Sequence, residues 1–343
     1  MDSTTVYFSA FDKGFEVSSI LAEFNLFGNP VTIRWYGAII AFGFLLAVLW
    51  GGRMAYKWKM SLDKMIDVLI YGTFAAIIGA RLYYVIFRWD YYSSHPGEII
   101  QIWNGGLAIY GGIIGGIIAA FITCRFNKLN FFNLLDCAGM SLLIGQGIGR
   151  WGNFANQEAF GSNTNMPWGM ISEKTTLYLV DHKDELEALG MSVDPYSPVH
   201  PTFLYESLWC IGSFLILLVI YKKFRKFSGQ LFLTYGVLYG TGRTIIEGFR
   251  TDSLYIGDTT LRVSQVLSAV VVLLFLAALI FMLIKVKKNP KPIEGVDFFP
   301  EPTPKKEKKK NADKNVMKDL AQKRAEKFET ETETTEENKT TAD

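Results

Sequence analysis

Apolar residues in this chain gather into long unbroken runs separated by short polar stretches, the pattern of helices surrounded by lipid. Seven such segments are predicted, at approximately 33–50, 65–87, 107–124, 134–148, 203–221, 231–246 and 263–284. The last contains no charged residue, and about 20 apolar residues span the hydrocarbon of a bilayer. The fourth and sixth are shorter and interrupted by glycine. The expected fold class is therefore all-α: a polytopic membrane protein of seven transmembrane helices with its termini on opposite faces.

Charge orients that bundle. Lys and Arg beside the spans number thirteen on one face, in the loops after spans 1, 3, 5 and 7, against six on the other. Positive flanks stay in the cytoplasm, which predicts the N-terminus outside and the C-terminus cytoplasmic. The largest outer loop, about 161–199, is read as a small extracytoplasmic insert with one short amphipathic helix over 175–189. The membrane domain is assigned to 1–286 and a disordered, charged cytoplasmic tail to 287–343, where 14 basic and 13 acidic residues alternate with prolines. The first residues are too polar for a cleavable signal peptide, so span 1 is expected to act as the insertion signal.

The formal net charge of +2 over 343 residues excludes a strongly basic surface, and no nucleic-acid partner is expected. Cys124, Cys137 and Cys210 lie in or beside apolar runs without CxxC spacing. They read as core residues, and no metal site or cofactor is expected.

Polar residues inside spans carry the chemistry, because each charge costs on the order of 3 kcal/mol at a span's centre unless its surroundings are wet or paired. Gly149-Arg150-Trp151-Gly152-Asn153-Phe154-Ala155-Asn156-Gln157-Glu158, closing with Gly161, ends span 4. Arg is suited to bidentate phosphate or carboxylate contact; the plain alternative is an arginine snorkelling to the headgroups. Arg243, Glu247 and Arg250 are spaced to share one helical face, as an anion site or a structural ladder. Gly105 to Gly112 surround Tyr110, and glycines four apart let helices pack closely in lipid. His200-Pro201-Thr202 opens span 5 ahead of Tyr205 and Glu206, as a functional group or a helix cap. Arg34-Trp35-Tyr36-Gly37 opens span 1, and Arg81 lies in span 2. All except Arg81 are predicted near the outer ends of their spans, forming a cationic pocket for an anionic lipid.

The run 149–161 resembles the G-R-x-G-N-F-x-N-x-E-x-x-G signature of bacterial prolipoprotein diacylglyceryl transferases, and the other clusters fall in the family's order over about 30–285. The resemblance implies seven spans and a location in the bacterial plasma membrane. It also implies transfer of the diacylglyceryl group from phosphatidylglycerol to the lipobox cysteine of a prolipoprotein signal peptide, with release of glycerol phosphate. By the same resemblance Arg150 binds the phosphate, and Arg243 is a second essential arginine. Asn153, Asn156 and Glu158 orient the headgroup, Tyr36 lines it, and Gly161, Glu247 and Arg250 complete the lipid site. Some members carry His where this chain has Tyr110. The thiol's proton is left to Tyr110, to His200, to water, or to the cationic field alone, with the field as the main term and Tyr110 orienting the thiol. The rival readings are an anion transporter and a non-catalytic scaffold; the absence of an internal repeat weighs against the first, and the arginine and carboxamide cluster against the second.

Overall fold

A computed structural model describes residues 3–289 except 12, 27, 252, 254, 256–258 and 260. The charged tail lies outside the described residues from 290 onward. The chain is mostly helical, but it is not all-α. Residues 3–34, passed over because they hold no long apolar run, form β1 (Ser3–Phe8), β2 (Phe15–Ser18), β3 (Ile20–Leu26) and β4 (Asn29–Arg34). In β1 the signal has a period of two rather than an unbroken run. Thr4 and Val6 in β1 are buried, while the intervening residues are not.

The helices coincide with the predicted segments and extend most of them. They are α1 (Trp35–Lys57), α2 (Leu62–Phe87), the single turn α3 (Trp89–Tyr92), α4 (Ile109–Asn127) and α5 (Phe131–Asn156). After β5 (Met170–Ser172), the helices α6 (Glu173–Asp181) and α7 (Lys183–Ala188) precede α8 (Thr202–Val219), α9 (Gln230–Glu247) and α10 (Val263–Lys288). Among the described residues, six helices are long and apolar enough to cross a membrane. The remaining predicted span is α9, whose 18 residues include Gln230, Thr234, Thr241, Arg243 and Thr244 and so are less apolar.

The predicted insert is more structured than a loop with one helix. It holds two helices, broken at His182, whose ring stacks on Tyr178 at 4.2 Å and whose Nδ1 meets the Tyr178 carbonyl at 2.9 Å. β1 lies between β2 and β5, antiparallel to both. Val6 thereby joins Phe160, Met170, Leu179, Leu186, Val199 and Phe203 in one apolar core. β1, β2 and the insert are thus one folded body, while β3 and β4 pair with each other in a separate sheet.

Within the bundle α2 packs along α4, α1 along α5, and α10 along α9. The glycine stripe of α4 explains the first pair. A Cβ on Gly111 would overlap the Gly79 carbonyl of α2, and one on Gly115 would overlap that of Ala75. All three cysteines are buried and free.

At the end of the bundle opposite the insert, one carboxylate fixes three elements. Asp136 of α5 accepts from Arg225 Nε at 3.2 Å and Nη2 at 3.0 Å, and from the backbone N–H groups of Gly229 and Phe232 at 2.9 and 3.0 Å. Gly229 is the N-cap of α9 and has no side chain to close that helix, so Asp136 caps it from another helix. Arg225 also donates to Asn133 at 2.7 Å and lies 4.1 Å from the Trp58 ring centroid. Its side chain is 2% exposed and that of Asp136 0%. Removing one partner strands a buried charge, so Asp136→Ala is predicted to cost about 3 to 5 kcal/mol, and Asp136→Asn, which keeps an acceptor, less. Thermal unfolding in detergent checks this; equal loss in the two variants would count against a charge-based role.

Candidate active site

The arginines of the two predicted clusters meet at a residue outside both. Glu206, in the first turns of α8, accepts Arg150 Nε at 2.7 Å on Oε2 and Arg243 Nη1 at 3.1 Å on Oε1, with Arg250 Nη1 at 3.6 Å from Oε1. Arg243 turns its other nitrogen to Glu247 Oε2 at 2.7 Å. The carboxylates lie inside, at 7% exposure for Glu206 and 2% for Glu247, while Arg150 and Arg243 keep 23% and 18%. The three guanidinium groups are thus held against two buried carboxylates. The site is therefore less cationic than the arginine count suggested. Glu206 had been visible in the sequence beside His200; its role as hub had not, because an acid on α8 has no helical spacing to arginines on α5 and α9.

The signature run is helical through Asn156, not a glycine-broken loop. Arg150 and Asn153 are therefore almost one turn apart on one face. Arg150 Nη1 donates to Asn153 Oδ1 at 3.3 Å, and Asn153 Nδ2 to Glu158 Oε1 at 2.9 Å. Asn156 is half-buried on the same turn, and no hydrogen bond among the described residues joins it to this chain. Gln157, not singled out from sequence, takes a left-handed backbone and donates to Thr4 Oγ1, tying the signature to β1.

Gly161 explains the end of the motif. Its N–H donates to the His200 carbonyl at 2.8 Å and it bridges to Arg250 in antiparallel fashion, so three separate segments meet there. A Cβ would lie 2.8 Å from both His200 Cβ and the Phe249 carbonyl. Arg250 is brought to Glu206 by this bridge rather than by helical spacing, since α9 ends at Glu247. Tyr36, one residue into α1, packs over Gly152, where a Cβ would lie 3.0 Å from its ring.

Two predicted residues stand apart. Tyr110 begins α4, is 42% exposed, and has its ring 6.5 Å from that of Tyr83; no hydrogen bond among the described residues links it to Glu206 or its arginines. Arg34 is exposed at the start of α1. Arg81, set aside from the outer cluster, proves to be a buried tie: it donates to the carbonyls of Glu98, Ile99, Gly105 and Gly106 at 2.6 to 2.9 Å, fixing the loop that leads to Tyr110.

His200 meets a hydroxyl that is itself held. Trp168 Nε1 donates to the Tyr205 hydroxyl at 2.7 Å, and that hydroxyl lies 2.9 Å from His200 Nδ1. A phenol oxygen can accept two hydrogen bonds, so the contact serves either neutral tautomer: the hydroxyl donates to Nδ1 when the ring proton is on Nε2 and accepts when it is on Nδ1. Burial lowers the pKa of His200 below the usual imidazole value.

The neutral ring is thus the form favoured by folding. Its stabilisation is fully present above the unfolded value of about 6.5 and is lost as pH falls through the lower folded value. Acidification from pH 7.5 to 5 is predicted to lower the unfolding temperature in detergent, and Tyr205→Phe to reduce that acid sensitivity by removing the hydroxyl's contact with the neutral ring. An acid response identical in both proteins would show that burial alone sets it.

Comparison with known proteins agrees with this architecture. The family model described as "Prolipoprotein diacylglyceryl transferase" matches residues 23–282. A phosphatidylglycerol-prolipoprotein diacylglyceryl transferase of Finegoldia magna is 42% identical over 266 residues, covering 78% of this chain and 95% of the relative. The protein of the same name from Listeria innocua is 44% identical over 263 residues, 76% of this chain and 89% of its own. One from Staphylococcus aureus is 40% identical over 282 residues, 82% and 95% respectively. With matches of that length and identity, the chain belongs to the prolipoprotein diacylglyceryl transferase family.

Proposed function

We propose that this chain transfers the diacylglyceryl group of phosphatidylglycerol to the lipobox cysteine of prolipoprotein signal peptides, and that the arginines gathered on Glu206 hold the lipid's phosphate. The single observation that carries the site assignment is that convergence: one buried carboxylate arranges three guanidinium groups while leaving two of them partly open. A phosphodiester carries one negative charge, which the partly open guanidinium groups of Arg150 and Arg243 can meet. Glu206 fixes the arginines before the lipid arrives, so little ordering remains when charge develops.

In the reaction the cysteine sulfur attacks the glyceryl carbon attached to the phosphate. The S–C bond forms, the C–O bond breaks, and its electron pair stays on the phosphate oxygen of the departing glycerol phosphate. The thiol proton leaves with solvent or product. Arg150 and Arg243 stabilise the developing phosphate charge, while Asn153, held between Arg150 and Glu158, orients the headgroup with Asn156 nearby. Tyr36 lines the lipid side. A thiolate is favoured in a cationic field, which suits activation by the arginines, with Tyr110 orienting the thiol. The contact of His200 Nδ1 with the Tyr205 hydroxyl favours a supporting role for that residue.

The same reading includes seven spans with the N-terminus outside, in the plasma membrane, and a site toward the outer leaflet. Strand pairing supports the parity. β1 pairs with β5 across α1, α2, α4 and α5, which puts the N-terminus and the insert on one side. The Gly161–Arg250 bridge does the same across α8 and α9, which supports α9 as a returning span despite its less apolar composition. α10 then carries the chain to the side where its last turn places Lys285, Lys287 and Lys288.

The test is purified protein in phosphatidylglycerol vesicles with a lipobox peptide. Lipidated peptide and released glycerol phosphate are expected, with transfer reduced about 100-fold or more by Arg150→Ala. Anion flux without peptide modification would overturn the reading. Tyr110→Phe is expected to retain measurable transfer; complete loss in a folded variant would make its hydroxyl the required base.

A further inference from the structure

One turn deeper than Arg150, α5 carries a polar group that the chemistry above does not use. Gln146, Arg150 and Asn153 follow one another at spacings of four and three, so they share a face of α5. Facing them, Tyr235, Tyr239 and Arg243 recur every four residues along α9. Gln146 Nε2 donates to the Tyr235 hydroxyl at 2.9 Å, and the Tyr235 and Tyr239 rings stack at 5.7 Å with 16° between their planes. The far end of the Gln146 carboxamide, Oε1, is buried with no hydrogen-bond partner. At membrane depth an unsatisfied amide is costly, since no lipid chain can replace the missing bond. The wall below the arginines is therefore polar, ordered and incomplete.

The structure of the donor lipid suggests what completes it. In a glycerophospholipid the phosphate and the ester-linked acyl chains sit on the same short glycerol, with the esters on the tail side. Gln146 lies about 6 Å below Arg150 along the helix, toward the middle of α5. With the phosphate at Arg150 and Arg243 and the tails running into the bilayer, the ester carbonyls fall at the level of Gln146. An ester carbonyl accepts hydrogen bonds and donates none. The carboxamide can meet it by a half-turn about its last bond: the Tyr235 hydroxyl then donates to Oε1, and Nε2 is released to donate to the ester. Every polar atom of the pair is then satisfied.

We infer that Gln146, oriented by Tyr235, binds an ester carbonyl of the diacylglyceryl group and so makes the enzyme selective for ester-linked over ether-linked lipids. This rests on the placement of the phosphate at Arg150 and Arg243 proposed above. Gln146 is in this role a specificity-determining residue that acts on the part of the lipid being transferred.

The experiment compares peptide lipidation in vesicles of diacyl phosphatidylglycerol and of the dialkyl ether lipid with the same chain lengths. Both rates are measured on one preparation, so that their ratio does not depend on how much protein is folded. The wild-type chain is expected to favour the ester lipid by about tenfold, the worth of one hydrogen bond in a dry site. Gln146→Leu and the closer isostere Gln146→Met are expected to bring that ratio to about one. A ratio unchanged from wild type in both variants overturns the inference, since the carboxamide then serves the helix pair or a bound water. So does a wild-type ratio near one. Arg150→Ala is the control for the underlying placement and is expected to depress transfer from both lipids alike. Full transfer by Arg150→Ala would defeat the headgroup assignment itself, an outcome distinct from an unchanged ratio in the Gln146 variants.

Discussion

The half of this bundle beside the insert is organised by one buried carboxylate. Glu206 of α8 sits where α5 and the end of α9 converge, and these deliver to it arginine charges that they could not otherwise keep in a membrane. Without Glu206, three guanidinium groups would repel one another in a medium that screens poorly. With it, their spacing is set before any ligand arrives. The surrounding features follow from bringing those segments together: the close approach at Gly161, the bridge to Arg250, and the left-handed turn at Gln157 that lets the chain leave α5 for the insert.

The opposite end of the bundle shows the same chemistry carried to closure. Asp136 and Arg225 are buried, and the carboxylate is filled by the guanidinium and two backbone donors, with Trp58 over the guanidinium. No open edge remains for a ligand. At Glu206 the acids are as buried as the geometry allows, but Arg150 and Arg243 keep about a fifth of their surface. Burial of the anion with exposure of the cation separates the Glu206 cluster from the closed ion pair of Asp136 and Arg225. Under the proposed reading, two clusters with the same residue types thus divide into an anchor and an anion site.

That distinction also marks what the sequence could disclose. The helices were legible because an unbroken apolar run has one physical meaning, and the signature around Arg150 was legible as a local string. β1 was missed because its alternation is short and one of its partners, β5, lies more than 160 residues away along the chain; β2, β3 and β4 were missed because they are short and mostly exposed. Glu206 was missed as a hub for a reason related to the first. Helical spacing reports neighbours on one helix, and its partners lie on α5, on α9 and beyond the end of α9. Arg243, Glu247 and Arg250 illustrate the limit: spacing put Arg250 near the site, but the helix stops at Glu247 and a strand-like bridge does the placing. The contacts of Tyr205 with His200 and Trp168 join residues that no helical spacing relates.

Under the proposed reading, the two buried acids bear on turnover as well as on binding. A bound phosphodiester brings one negative charge to the arginines that Glu206 and Glu247 hold. Cleavage converts that diester to a phosphate monoester, whose charge near pH 7 is about −1.5 to −2. The added negative charge then lies beside Glu206 and Glu247, and the product has lost the tails that kept it in the bilayer. Both changes drive glycerol phosphate toward water. On this reading the two buried acids serve release as well as the placement of the arginines.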